Sequence, residues 1–347
     1  MQSITDLMFA FFLVWLFFCN NRTTEVRKTM KAIITKEYGT LHIAEIEMPK
    51  LGKGEVLVRV EACGVNRADL MQKKGLYPAP KGYRNDILGM EFAGRVVERG
   101  AGASLWEINT AVMGIVAGEA YAQFVVIHER LLLPIPDSMS MEEAVCIPEA
   151  FLTAYDALFL QIEMERGDRL LLHAIGSGVG DAAYQLALSR GISVVATTRT
   201  AWKLEPYMKL EQGIVVEAGD FASRITGQVD AVLDFVGGAY FEQNMRVLRP
   251  QGTLLLLGLM GGREAQIPLG LLLVKRLRLL GSTLRSRRFE EKVVLVDSFR
   301  KSALPDFAAG ILHPTLDRIF LWSDVEEAHR YMEENCNRGK IVLRVEH

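Results

Sequence analysis

RLLLHAIGSGVGDAAYQLALSRG, residues 169–191, is the stretch whose reading decides the fold. Leu170, Leu171 and Leu172 form an apolar run suited to a strand buried on both faces. Gly176, Gly178 and Gly180 make a tight turn, and Ala183, Leu186 and Ala187 follow at helical spacing. A strand, a glycine turn and a helix start in that order can hold a diphosphate. The free amides of a helix N-terminus point at the anion, and only glycine lets the backbone come close enough. The strict G-x-G-x-x-G does not fit, because its third glycine would fall on Asp181. The frame that fits is A-x-x-S-G-V-G, from Ala174 to Gly180. A plain strand–helix turn is the alternative, and the flanking strand and helix favour the anion site.

Downstream, apolar segments at 194–198, 214–216, 231–235 and 253–257 alternate with helical stretches. Such alternation predicts a parallel sheet with helices on both faces. Upstream, short β-like runs at 31–35, 41–46, 56–62, 91–99 and 121–127 are separated by turn residues and predict a mostly antiparallel domain reaching to about Pro136. Helical spacing takes over from Met141. After about Arg318 the segments shorten again. A closing strand at 341–345 is expected to pair with the first domain, which would make that domain discontinuous in sequence.

At 347 residues, half of them hydrophobic, the chain has ample core for about two domains. A net charge of −2 and the lack of a basic-aromatic stripe argue against a nucleic-acid partner. Cys19, Cys63, Cys146 and Cys336 are scattered without a C-x-x-C, which favours a reducing compartment and a cytoplasmic protein. Residues 1–29 stand apart. Their apolar run at 7–19 is shorter than the ~18 residues of a spanning helix. Asp6 precedes that run where a signal peptide would carry basic residues, and no small-x-small cleavage site follows. A membrane anchor, a targeting segment and an extension outside the fold all remain open. Met30-Lys31-Ala32-Ile33-Ile34 looks like the opening of a first strand and favours the last. Membrane contact is expected only if 1–29 are retained and functional.

The end of the second strand of the alternating region discriminates between coenzymes. A carboxylate there binds the ribose 2′-hydroxyl of NAD, whereas basic groups accept the 2′-phosphate of NADP. Thr198, Arg199 and Thr200 occupy that point with Lys203 one turn further, and no carboxylate appears before Glu205. NADP(H) is therefore the expected cofactor.

The span from Met30 resembles the zinc-independent medium-chain dehydrogenase/reductases of the quinone oxidoreductase (zeta-crystallin) group, and within it the tumour-suppressor-inducible NADPH:quinone reductase branch. The resemblance rests on NRADLMQ at 66–72 with Gly75 and Tyr77, ILGME at 87–91, IPEA at 147–150 with LTA at 152–154, and SGVG at 177–180. GLMGG at 258–262, LRSR at 284–287 and GKIVL at 339–343 complete it. It implies an α/β fold: a Rossmann-type parallel-sheet domain (151–314) inserted in a discontinuous, mainly antiparallel GroES-like β domain (30–150 and 315–347). It implies a homodimer, and NADPH-dependent reduction of a quinone or related enone. The alternative is a dinucleotide-binding protein with weak or no catalysis, in a structural or accessory nucleic-acid-binding role. Tyr77 and Asn66 would stand near the nicotinamide as catalytic candidates. The expected cofactor contacts are Thr153, Ser177, Gly178, Val179, Gly180, Arg199, Thr200, Lys203, Gly258, Leu259, Met260 and Leu284.

Zinc-dependent relatives place a Cys ligand where Asn66 stands and a His where Met90 stands. Neither amide nor thioether replaces those ligands, so no metal is expected. Without a Lewis acid an alkoxide is hard to support, but an activated acceptor can take hydride at carbon. Arg285, Arg287 and Arg288 read as a solvated basic face. Three departures from the family pattern stand out: a shortened region at 211–227, Val216 where relatives carry a tyrosine beside the ribose phosphate, and no Gly-Asp turn at 106–110.

Overall fold

A computed structural model describes residues 29–36, 39–216 and 220–347. The extension read from 1–29 thus lies outside the described residues except for Thr29, which opens the first strand. That strand, β1 (Thr29–Lys36), forms an antiparallel hairpin with β2 (Thr40–Glu47). β3 (Glu55–Val65) follows, then helix α1 (Arg67–Lys73), β4 (Glu91–Arg99), β5 (Ala111–Ile115), β6 (Phe124–His128) and β7 (Leu132–Pro134). Helices α2 (Met141–Ala144) and α3 (Pro148–Tyr155) lead through a π turn at Asp156–Gln161 into β8 (Arg169–Leu172) and α4 (Gly178–Ser189). The alternating part continues with β9 (Ser193–Thr198), β10 (Gln212–Val215), β11 (Val229–Asp234), α5 (Phe241–Val247), β12 (Leu248–Leu256), α6 (Leu269–Lys275) and β13 (Arg278–Gly281). The chain ends in α7 (Phe289–Ser302), α8 (Leu304–Ala308), β14 (Leu316–Leu321), α9 (Val325–Glu333) and β15 (Lys340–Arg344).

Strands β8 to β13 form one parallel sheet in the order β10-β9-β8-β11-β12-β13. Counted from β8 this is 3-2-1-4-5-6, the doubly wound order, with its reversal between β8 and β11. Leu170, Leu171 and Leu172 are fully buried, as a central strand covered by helices requires. The other sheet runs β14-β15-β3-β4-β5-β7, with β6 also on β3. β15 pairs antiparallel with the end of β3, Ile341 opposite Val65, while β6 takes the start of β3, Glu55 opposite His128. Segments before and after the parallel sheet, β3–β7 and β14–β15, therefore build one sheet.

One local expectation needs correction. The strand read at 121–127 starts only at Phe124. Tyr121 and Ala122 instead reach β1, where Ile33 donates its amide to the Tyr121 carbonyl at 2.8 Å. The loop at 106–110 closes without a Gly-Asp turn because Asn109 takes the left-handed conformation (φ 74°) and Trp106 donates its indole N–H to the Glu129 carbonyl.

Candidate active site

The glycine turn lies at the carboxyl end of β8, where a doubly wound sheet binds its ligand. Ser177 caps α4, its Oγ accepting from the Gly180 amide at 3.0 Å. A Cβ on Gly180 would stand 2.4 Å from the Ala174 carbonyl oxygen, so the turn closes only around glycine. Ala174 itself sits at φ 50°, a strained value for a non-glycine residue and of a kind found at ligand clamps. Behind the turn, His173 bridges Thr197 Oγ1 and Asn244 Oδ1 at 2.7 Å each, and Asn244 donates to buried Asp234. Burial pushes His173 down, which keeps it neutral.

The second sheet comes up to the same turn. Gly339 donates its amide to the Gly176 carbonyl at 3.1 Å, and a Cβ on Gly178 would stand 2.6 Å from Cδ of Lys340. Lys340 is 4% exposed and Glu91 fully buried. The ammonium donates to Glu91 Oε1 and Asn66 Oδ1, both at 2.5 Å. Asn66 Nδ2 donates back to Glu91 at 2.9 Å, and the Glu149 amide takes the other carboxylate oxygen at 2.7 Å. Asn66, which stands where zinc-dependent relatives are expected to carry a Cys ligand, and the neighbouring Glu91 carboxylate thus both hold a lysine ammonium. Among the described residues no group of three His, Cys, Asp or Glu could hold a metal ion.

Opposite this network, Tyr77 carries the Arg285 guanidinium 5.0 Å from its ring centre. Its hydroxyl makes no hydrogen bond among the described residues, and burial raises its pKa. Arg285 corrects the solvated-face reading. It is 6% exposed and donates to the Ala117 and Tyr77 carbonyls and to Gln72. Arg287 is likewise held, by both oxygens of buried Asp156 at 2.6 Å, and only Arg288 stays on the surface. The Glu149 carboxyl faces this wall. Burial first, then the Glu91 carboxylate, push it up to about 8.

Thr153 lies on α3 with its Oγ1 buried and without a hydrogen-bond partner among the described residues. A buried hydroxyl in that state expects an acceptor or donor from outside the chain. With the glycine cradle, it fits a dinucleotide laid across the end of the sheet. Gly258, Leu259 and Met260 follow β12 at the same end, Leu259 and Met260 about half exposed, and Leu284 is buried.

Just past the end of β9, Arg199 is exposed and makes no hydrogen bond among the described residues. Lys203 departs from the expectation of an open cation. It is 4% exposed, lies 5.4 Å from the Trp202 ring centre, and donates to the Asn335 carbonyl at 2.8 Å and to Asn335 Oδ1 at 3.0 Å. Thr200 touches Asn335 Nδ2 at 3.5 Å. Val216 is buried against the apolar cluster of Phe221 and Tyr240. Residues 217–219 of the shortened region lie outside the described residues.

Two family models match this chain, "Alcohol dehydrogenase GroES-like domain" over residues 52–137 and "Zinc-binding dehydrogenase" over residues 178–298. The mouse quinone oxidoreductase-like protein 2 is 26% identical over 90% of this chain and 91% of its own length. The chain belongs to the medium-chain dehydrogenase/reductase family. This family binds a nicotinamide dinucleotide. Polyketide synthase GfsB of Streptomyces halstedii is 33% identical over 85% of the chain, which spans only 5% of that protein's length. Among solved structures, the apo JamJ enoyl reductase superposes with a TM-score of 0.83 at 25% identity, covering 92% of this chain and 100% of that one. As a medium-chain dehydrogenase/reductase the chain is an oxidoreductase with a GroES-like antiparallel sheet and a Rossmann-type parallel sheet.

Asn66 reaches the 177–180 turn through Lys340, which bonds its Oδ1 and lies against Gly178, while Tyr77 stands with Arg285 and Thr153 on α3, which packs on α4. Thr200 and Lys203 meet at Asn335, with exposed Arg199 just before them at the end of β9. Sequence reasoning missed Lys340, Glu149 and Arg285 as parts of the site. Lys340 and Glu149 stood inside the quoted GKIVL and IPEA motifs, so the motifs carried the signal and the roles did not.

Proposed function

We propose that this protein is an NADPH-dependent reductase of quinones or related α,β-unsaturated carbonyls that works without a metal ion. The observation that carries the reading is the buried Lys340–Glu91–Asn66 network beside the glycine cradle. It puts a fixed ammonium where a metal-dependent relative would need ligand lone pairs, and an ammonium beside those lone pairs opposes binding of a cation. Relatives named as quinone oxidoreductase-like and enoyl reductase support the two acceptor classes equally. When bound, NADPH supplies the hydride.

This chain's residues bind and orient. The 177–180 turn holds the diphosphate, Thr153 Oγ1 hydrogen-bonds the coenzyme, and Arg199 takes the ribose phosphate. The acceptor lies along the wall made by Tyr77, Arg285 and Glu149. An acceptor reduced at carbon also needs a proton, and Tyr77 and Glu149 both keep theirs near neutral pH. NADPH oxidation measured against a panel of ortho-quinones, para-quinones and enones, with and without a chelator, tests this reading. Turnover unaffected by chelator is expected. Binding of NADPH without turnover of any acceptor would favour the non-catalytic dinucleotide binder, and loss of turnover on chelation would end the metal-free mechanism.

The enzyme is proposed to act as a homodimer. β13 pairs on one side only among the described residues, and beside it α6 leaves Leu269, Leu273 and Val274 between 69% and 76% exposed. A second copy pairing edge to edge would cover both. Light scattering that finds a monomer at micromolar concentration would refute it.

A further inference from the structure

We propose that Arg67 is a third cation of the ribose 2′-phosphate site, supplied from the opposite side of the crevice to Arg199 and Lys203. The inference rests on the NADPH reading above and adds to it a residue and a consequence.

Arg67 opens α1, directly after β3 of the antiparallel sheet, whereas Arg199 and Lys203 follow β9 of the parallel sheet. The C-terminal turn of α9 brings the two sides together. Arg67 Nη2 donates to the Met332 carbonyl at 3.0 Å, and the Asn335 amide donates to that same oxygen at 3.0 Å. Lys203 Nζ donates to the carbonyl and side chain of Asn335. Two cations from two sheets are thus held on one turn, three residues apart along it. Asn335 adopts φ 59° to present both of its oxygens to Lys203.

The bland explanation is that Arg67 and Lys203 merely cap the negative end of α9. That accounts for two cations. It does not account for Arg199, which adds a third positive group here although no carboxylate hydrogen-bonds any of the three among the described residues. Burial and then the Arg199 charge lower the pKa of Arg67, and Lys203 feels both arginines as repulsion. Asp317 offsets this at Lys203 more than either arginine opposes it, but at Arg67 the Arg199 charge outweighs Glu333, which is already paired with Lys74. Gathering like charge in a half-buried crevice is unfavourable unless an anion joins it. A phosphate dianion accepts hydrogen bonds from all three and relieves the repulsion. Because Arg67 and the α9 turn belong to one sheet's side and Arg199 and Lys203 to the other, the same phosphate would tie the two sides of the crevice together.

The test uses the full-length chain and the variants Arg67→Ala and Arg67→Lys, with Kd for NADPH and NADH read from nicotinamide fluorescence. Wild type is expected to prefer NADPH. Arg67→Ala should weaken NADPH on the order of tenfold, as loss of a hydrogen bond to a charged group implies, while NADH changes by less than about twofold. Arg67→Lys should recover part of the loss. Unchanged NADH binding doubles as the control for folding. A second arm measures amide hydrogen exchange. 2′,5′-ADP should slow exchange in Arg67–Lys73, whereas 5′-AMP should not. Equal losses for both coenzymes, or none, with wild-type preference intact, would overturn the role of Arg67 alone. A wild type that does not distinguish NADPH from NADH would overturn the coenzyme reading and this inference together.

Discussion

Replacing Lys340 by Met removes one charge from the most buried ion pair of the site. Lys340 and Glu91 are 4% and 0% exposed, and the glutamate would keep only the Asn66 amide and the Glu149 N–H as donors. Methionine retains most of the unbranched stem that packs on Gly178, so the change is chiefly electrostatic. Leaving one partner of a buried pair uncompensated costs about 3–5 kcal/mol. The two remaining donors to Glu91 put the expected value near the lower end. Urea unfolding at pH 7, followed by circular dichroism, reads the loss. Adding Glu91→Gln to the same chain removes the stranded charge. Asn66 Oδ1, freed of the ammonium, can then accept from the new amide. The double variant should therefore regain at least half of what the single one lost. Below the unfolded lysine pKa of about 10.4 the ammonium's contribution is fully present. Burial pulls Lys340 down, but the Glu91 charge and hydrogen bond, joined by Cys146 and Glu149, hold it above the ordinary lysine value, so this contribution should not fade anywhere between pH 6 and 9. A single-variant loss below about 1 kcal/mol would refute the claim that this buried pair ties β15 to β4 beside the glycine turn. A double variant no better than the single one would refute it equally.

Thr153→Val removes the orphaned hydroxyl at nearly constant volume. The free protein should be as stable as wild type or more so by up to about 1 kcal/mol in thermal melts, while NADPH affinity falls several-fold. Glu149→Gln tests a pH dependence. With a folded pKa of about 8 against an unfolded value of about 4.3, this carboxyl favours folding below pH 4 and loses that advantage as pH rises through 8. Melting curves at pH 5, 7 and 9 should show the variant gaining on wild type as pH increases, and a constant gap would sink the assignment. Arg199→Ala should weaken NADPH and spare NADH in the same fluorescence titration. Lys203→Ala is the less clean variant, because its ammonium also holds the Asn335 turn.

The glycine turn and the strand–helix alternation were legible in the sequence because both are local. Leu170–Leu172, Ser177 and Gly180 need only their neighbours to define a buried strand and a capped helix start. The charged residues of the site were not legible in that way. A run such as LRSRR reads as a solvated face when only adjacent residues are in view. Arg285 is nevertheless satisfied by Gln72, 213 residues away in sequence, and Arg287 by Asp156, 131 residues away. Lys340 meets Glu91 across 249 residues, and Lys203 meets Asn335 across 132. Arg285–Gln72 and Lys203–Asn335 join the parallel sheet's side to the antiparallel sheet's side, Lys340–Glu91 joins two distant strands of the antiparallel sheet, and Arg287–Asp156 closes the parallel sheet's side on itself. Local pattern could thus say that a strand–glycine turn–helix unit exists, but which ammonium or guanidinium faces it is decided by long-range pairings such as the return of β15 to β3. The return of β15 to Val65 delivers Lys340 to the Val65, Asn66 and Glu91 oxygens. The acceptor chemistry open to this protein therefore follows from a strand pairing more directly than from any single motif.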